Sequence, residues 1–409
     1  MKRIILDTQS SRMFYGDEME QNYDQRGGLC EVGEGNLVVT VNPIDQDYLD
    51  YWNKELGFTL PKLLVAGPFD ARYSLSDHIV NKPDLQAVIK EFTAGEKARL
   101  EFFWIEETER RLSEVLGIAP YCSFDVSIPY SRKILFKEAC ERINIPTSPW
   151  FFSERSEKTL VWAKQMVNNG ISILLKVNDG TGGISGGGIL KIDTIDQFQN
   201  ETIKEWQEKK IPFFAEKIVP GFIQEVALHW EITESGEITG VRFFDQLAEN
   251  FSYTGVSYPS NGIPSKETIK SQLQNKLGPF FIQKGAKGFF CCDIIVNQDG
   301  TPFWTDLNPR KGAIRYVWSF VKRLKKNIFS ERDQVFFYHN HYRTQKKGMK
   351  FSEIKKILSA WLRPSTEKPF VIITNPGVIP YGYVDITGVS PNSREEAKEV
   401  FTKASKEVG

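Results

Sequence analysis

Three hard oxygen ligands fall in one short stretch, 293-DIIVNQDGTPFWTDLNPRKGA-313: Asp293, Asp306 and Asn308. Carboxylate and carboxamide oxygens are the donors that Mg2+ prefers. Asp306 and Asn308 stand two apart, so a strand would turn both to one face. A hairpin at Asn297–Gly300 would fold the strand of Asp293 back beside them. Arg310 and Lys311 follow directly. Together these residues could hold a metal-bound triphosphate and stabilise charge that develops in phosphoryl transfer. A polar sheet edge with an ion pair to Arg310 is the plainer reading.

A second constellation is 173-ILLKVNDGTGGISGGGILKI-192, with six glycines from Gly180 to Gly188 between two apolar runs. A Walker A loop would need Lys and Ser or Thr after Gly187, where Gly188 and Ile189 stand; G-x-G-x-x-G from Gly180 fails because residue 185 is Ser. What remains is a strand–loop–strand hairpin with a long glycine tip. Gly182, Gly183 and Gly186 would let backbone N–H groups approach an anion, and Ser185 adds a hydroxyl donor. Lys176, near the end of the preceding strand, could share the phosphate. A merely mobile hairpin is the alternative. The third element, 216-EKIVPG-221, has the acidic, basic and aliphatic residues of an adenine slot, and equally those of an ordinary strand end.

The elements that must position these residues alternate along the chain. Strand-like runs at 36–42, 62–67, 100–105 and 121–125, with helical spacing at 46–58 and 107–117, predict a parallel α/β domain over residues 1–127. From residue 128 to 325 the pattern changes. A helix begins near Ser131, a plausible N-cap, and a second covers 157–169 before Gly170; strands follow at 171–177, 188–192, 213–219, 225–233, 238–247, 289–297 and 302–308. Residues 326–409 predict a C-terminal α+β segment: a basic helix-like stretch at 342–362, a strand at 369–375, an extended piece at 377–387 and a helix at 393–407.

Composition bounds the function. With 409 residues, 41% hydrophobic and 25% charged, the chain is a folded protein of more than one domain. Its 52 basic residues balance 52 acidic ones, which argues against an electrostatically driven nucleic-acid binder. The five cysteines form no C-x-x-C, and Cys291-Cys292 fit a buried strand. No signal peptide or membrane-length apolar run is present, so a cytoplasmic protein without membrane attachment is expected. The four histidines, including 339-HNH-341, lack metal-binding spacing and are assigned no chemistry.

The order of a lysine helix, a lysine strand, a glycine loop, an E-K-x-V hinge and D…D-x-N-P-R resembles the ATP-grasp superfamily of carboxylate–amine ligases over about residues 128–315. The preceding domain, with its V-N-P turn at 41–43, resembles the pre-ATP-grasp domain. With the tail 377-GVIPYGY-383, the combination looks most similar to the pheganomycin-type peptide ligases. This resemblance implies α/β and α+β architecture: a pre-ATP-grasp α/β domain, an ATP-grasp fold whose two α+β subdomains grip ATP, and a C-terminal extension. It implies Lys133 and Lys176 as nucleotide-binding lysines and residues 180–188 as a lid over the phosphates, disordered or raised without nucleotide and ordered with it. Glu216, Lys217 and Val219 match the adenine hinge, and Glu225, or alternatively Gln224, the ribose contact. Asp293, Asp306 and Asn308 match the metal ligands, although the last acidic ligand is more often Glu; Arg310 matches the cation facing the acyl phosphate. Arg242 and Arg315 are further candidates for gripping a carboxylate.

The implied reaction is ATP-dependent activation of a carboxylic acid or amino acid as an acylphosphate. An amine or peptide nucleophile then forms the amide, and ADP and phosphate are released, with Mg2+ or alternatively Mn2+ as metal. Transfer to a carrier-protein thiol is the near alternative, with the basic stretch 342–362 docking an acidic acyl carrier protein. A non-catalytic nucleotide-binding protein is the distant one. Homodimers are common among similar enzymes.

Overall fold

The computed structural model describes residues 1–7, 18–22, 24–178, 188–249, 251–260, 262–329, 335–344 and 346–409. They form two compact units. The first comprises Met1–Phe124, Gly255–Pro259 and Arg310–Gly409; the second comprises Asp125–Thr254 and Ser260–Pro309.

The first unit opens with a parallel sheet in the order β3-β2-β1-β4, made of β1 (Lys2–Leu6), β2 (Leu37–Thr40), β3 (Lys62–Val65) and β4 (Ala98–Phe102). The run of β1 is too short to show a period in sequence, yet Ile4, Ile5 and Leu6 are fully buried because an inner parallel strand is covered on both faces. Helix α1 (Asp24–Glu31) precedes β2, and α2 (Glu107–Leu116) follows β4. Residues 121–125 are not the expected strand. The ladder stops at one bridge between Leu100 and Pro120, and a helix starts at Phe124. The helix takes the chain out of extended conformation before further pairs can form.

The second unit begins with α3 (Lys133–Arg142) and α4 (Ser156–Asn168). Ser131 is not the N-cap of α3. Its hydroxyl donates to the Ser127 carbonyl at 2.7 Å, and Asn178 Oδ1 instead accepts from the Ile134 N–H at 3.1 Å. Strands β5 (Trp150–Phe151), β6 (Ile173–Val177), β7 (Ile189–Ile192) and β8 (Phe213–Lys217) form an antiparallel sheet in the order β5-β8-β6-β7. Its apolar face, with Ile173, Leu175, Phe213 and Ala215, packs on Ala163 and Val167 of α4.

Next come β9 (Phe222–Ile232), β10 (Ile238–Glu249), β11 (Ser252–Tyr258), β12 (Gly288–Asn297) and β13 (Pro302–Asn308). Within this unit the antiparallel order is β13-β12-β9-β10. Alternate residues Val226, Leu228, Trp230, Phe290, Cys292 and Ile294 join the core beside Phe136 and Cys140 of α3. The hairpin predicted at Asn297–Gly300 is present, with Gly300 at φ +83°, a conformation that favours glycine.

The C-terminal residues pack into the first unit. They supply α5 (Ala313–Asn327), β14 (Phe336–Arg343), β15 (Phe370–Ile373), β16 (Tyr383–Ser390) and α6 (Arg394–Val408). Gly255–Tyr258 of β11 pair with β14, which pairs with β16 and, through it, β15. The Tyr48 hydroxyl donates to the Ile373 carbonyl at 3.0 Å, and the Trp52 ring lies 5.0 Å from Phe320, which ties the two ends of the chain into one core. A Cβ at Gly388 would lie 2.0 Å from the Ala397 carbonyl, so only glycine admits α6 this closely onto β16. The stretch 342–362 is helical only over Phe351–Ile357, because its first residues end β14. The polar sequence of β14 hides its alternation. His339 and His341 share a face and bond to Thr387 and Asp385 on β16.

None of the five buried cysteines is in a disulfide, and Cys291 and Cys292 lie within β12 as expected. Among the described residues no helix is long and apolar enough to cross a membrane.

Candidate functional site

The two sheets of the second unit each have one apolar, packed face and one face with ionisable residues. On the larger sheet Asp293 of β12 is directly opposite Asp306 of β13, and Cys291 is opposite Asn308. The three predicted ligands therefore share the face away from Cys292 and Ile294. The same face continues through Glu225 and His229 of β9 to Arg242 and Gln246 of β10, since His229 pairs with both Cys291 and Arg242. Gln246 donates to Glu225 Oε1 at 2.9 Å. Arg242 is exposed, with a guanidinium N–H on the Val241 carbonyl at 2.8 Å.

On the smaller sheet Lys176 of β6 and Glu216 of β8 share a face, with Lys176 Nζ 2.9 Å from Glu216 Oε2. Helix α3 joins the two groups. Lys133 Nζ lies 2.5 Å from Asp306 Oδ2, and one turn on Lys137 Nζ lies 2.5 Å from Glu216 Oε1. Sequence reasoning misses Lys137, although its i+4 spacing from Lys133 puts both ammoniums on one side of the helix.

Burial would raise the Asp306 carboxyl, but Lys133 and Lys176 hold it well below its usual range. Asp293 is pushed up to about 8 by burial and then by the charges of Asp306 and Glu225. Burial also raises Glu225. Glu216 is lowered, because Lys137 and Lys176 outweigh its burial; Lys176 is raised, because Glu216 outweighs the loss of water around its ammonium. Glu216 is thus paired directly with two lysines, while of Asp293, Asp306 and Glu225 only Asp306 has a direct lysine partner, Lys133.

This second place fits a divalent cation. Asp306 Oδ1 is buried with no hydrogen-bond partner, and burial beside Asp306 and Glu225 holds the Asp293 carboxyl up. Among the described residues no three His, Cys, Asp or Glu side chains already converge as a finished metal cage. The carboxamide of Asn308 is on the same face as a further oxygen donor.

The hinge residues are next to the Glu216 cluster. Lys217 donates its N–H to the Pro149 carbonyl at 2.9 Å and accepts from the Ser148 hydroxyl; Val219 is buried. Gln224, the alternative ribose contact, donates to Asp245 Oδ1 at 2.7 Å. Gly182, Gly183, Ser185 and Gly186, with the lid expected of them, lie outside the described residues.

Arg310, Lys311 and Arg315 belong to the first unit. The Arg310 guanidinium is buried over the rings of Phe103 and Trp104, 4.8 and 4.5 Å from their centroids. The expectation that Lys311 helps hold the triphosphate is corrected. It is fully buried, with Nζ 3.1 Å from Asp7 Oδ1 and Glu101 Oε2 and 3.5 Å from Glu31 Oε1. Its charge is already neutralised by carboxylates. Arg315 Nε lies 3.9 Å from Glu31 Oε2.

A parallel α/β domain followed by antiparallel sheets, with lysines of one sheet and a connecting helix meeting carboxylates of both, defines a class of fold. It is the pre-ATP-grasp domain followed by the ATP-grasp fold. Residues 29–118 match the family described as Pre ATP-grasp domain. No curated protein matches the sequence.

Solved structures match over nearly the whole chain. N5-carboxyaminoimidazole ribonucleotide synthetase from Thermus thermophilus is similar at a TM-score of 0.60 and 13% identity, over 100% of this chain and 99% of that one. N5-carboxyaminoimidazole synthase from Aspergillus clavatus, in complex with ADP and 5-aminoimidazole ribonucleotide, is similar at 0.60 and 12%, over 100% and 98%. The biotin carboxylase domain of Hydrogenobacter thermophilus 2-oxoglutarate carboxylase, in complex with MgADP, ADP and bicarbonate, is similar at 0.57 and 12%, over 95% and 86%.

Proposed function

We infer that the chain is an ATP-dependent ligase that activates a substrate carboxylate and couples it to an amine. One observation carries this reading. Asp306 is held ionised by Lys133 with its second oxygen unpartnered, directly opposite an Asp293 whose carboxyl is pushed up to about 8 by burial and by the charges of Asp306 and Glu225. Such a site is short of one divalent ion. Mg2+ bound there would supply positive charge to the phosphate oxygens of ATP. The structural neighbours crystallised with ADP or MgADP support the same assignment.

Asp293, Asp306 and Asn308 would hold the metal, and Lys133 and Lys176 would counter phosphate charge. Lys137 would keep Glu216 ionised so that Lys176 stays oriented. A carboxylate oxygen of the substrate attacks the γ-phosphorus, the bond to the β-phosphate oxygen breaks, and ADP leaves. The amine then attacks the acyl carbon of the acylphosphate, loses a proton, and expels phosphate. Arg242 is proposed to face a substrate carboxylate.

The test is product analysis with amino acids and small acids, alone and in pairs. ADP and phosphate release that needs both an acid and an amine supports the reading. AMP and pyrophosphate as products would overturn it, and a thioester on a carrier protein would replace the amine acceptor.

A further inference from the structure

The C-terminal part of the first unit has a groove of about 620 Å³ that the nucleotide chemistry does not use. One wall is a helical stripe. Ser352, Lys355, Lys356 and Ser359 recur at i, i+3, i+4 and i+7, while Phe351, Ile354 and Leu358 of the opposite stripe are buried in the core. The i→i−4 bonding continues past the helix end at Leu358 and Leu362. Arg363, Pro364, the buried Leu362 and Glu55, the one carboxylate of the lining, complete the groove.

The charge is local. The whole chain is neutral, yet residues 342–369 carry eight lysines and arginines against two glutamates. Lys355 is shared with Glu55, whereas Lys356 and Arg363 have no acidic partner among the described residues. This local excess of positive charge would attract an anionic partner at low salt.

We propose that this groove docks an acidic helix of a partner protein. The spacing selects that occupant. From Ser352 to Ser359 the stripe rises about 10 Å, two turns, farther than one phosphate group can bridge. Carboxylates at i, i+4 and i+7 on a facing helix match it, and an apolar residue among them would meet Leu362 and Pro364. A recessed groove whose cations alternate with serines, Leu362 and Pro364 differs from the flat, continuous basic face that suits a bilayer or a duplex.

The experiment uses the full-length protein and a fluorescent amphipathic peptide with Glu at those positions and Leu between them. A Gln-for-Glu peptide, phosphatidylserine vesicles and duplex DNA serve as competing probes. The acidic peptide should bind at low salt and be released as salt is raised. Lys356→Glu with Arg363→Glu should weaken it about tenfold or more, with ATP-dependent phosphate release unchanged. Glu55→Gln, which releases Lys355, should strengthen it, a gain that misfolding cannot produce. Equal binding of the acidic and Gln peptides, no effect of the charge reversals, or tighter binding to vesicles or DNA would each overturn the proposal.

Discussion

Asp293 and Asp306 stand directly opposite each other on β12 and β13, and a lysine on a separate helix decides which of them is ionised. Lys133 Nζ lies 2.5 Å from Asp306 Oδ2, whereas Asp293 meets the charges of Asp306 and Glu225. Two like carboxyls at one cross-strand position would repel if both were ionised. One proton or one metal ion resolves the conflict.

Asp306→Asn should therefore do two things. It should abolish acid- and amine-dependent phosphate release. It should also destabilise the chain by about 3 kcal/mol, because the Lys133 ammonium loses its only salt-bridge carboxylate among the described residues. Product assays and thermal melts read the two effects separately. A fully active variant would contradict the metal-ligand role.

Asp293→Asn should give a pH-dependent gain in stability. In the folded chain Asp293 keeps its proton to about 8, while in the unfolded chain it ionises near its usual value of about 4. The folded state thus binds the extra proton between those limits, and this residue's contribution to stability falls as pH rises from about 4 to about 8. Asparagine removes that decline, so the variant's Tm should match wild type near pH 4 and exceed it by several degrees at pH 8. A Tm difference of the same size at every pH would argue against a protonated Asp293. In wild type, Mg2+ binding should release a proton and tighten as pH rises toward 8.

Lys137→Met and Glu216→Gln should be strongly coupled. Glu216→Gln alone strands the buried ammoniums of Lys137 and Lys176 and should cost about 3 kcal/mol, whereas adding Lys137→Met removes one of them and should recover part of the loss. Lys176→Ala should raise the KM for ATP at least tenfold. Additive melts across the cycle would show that Lys137 and Glu216 do not act as a pair.

Lys311→Met should be destabilising in a way that low pH partly relieves. Asp7 is pushed up to about 7 by burial, with Lys311 drawing it down, and Glu101 is drawn down to about 2 by Lys311 and Arg3 against its burial. Without the ammonium these carboxyls are buried with too little counter-charge, a penalty of about 3–5 kcal/mol at neutral pH that shrinks once they protonate. Urea melts at pH 5 and pH 8 measure it. Equal losses at the two values would exclude the electrostatic account.

Much of this site is legible as residue types. Asp293, Asp306 and Asn308 are two strands of a hairpin, and Lys133 and Lys176 are an early helix residue and a strand residue, so local periodicity reveals them. Lys137 is legible by helical spacing but passes for a surface lysine, since nothing local announces that a lysine is fully buried. The strand expected at 121–125 fails because the chain enters a helix at Phe124, just past the single bridge of Pro120 to Leu100. Strand β14 escapes notice because its polar residues are satisfied by partners distant in the chain, and β1 because its run is too short to show a period.

The sequence by itself determined the inventory: which oxygens and ammoniums are available, the turn at Gly300, the alternation that turns Asp306 and Asn308 to one face, and the zero net charge. Only the tertiary structure decided the pairing. Lys133 took Asp306, Lys137 and Lys176 took Glu216, and Lys311 took Asp7, Glu31 and Glu101, although it follows Arg310 in sequence. The reason is physical. A charge buried away from water must find its counter-charge within a few ångströms, and which carboxylate is that close is set by strand register and helix packing, not by order along the chain.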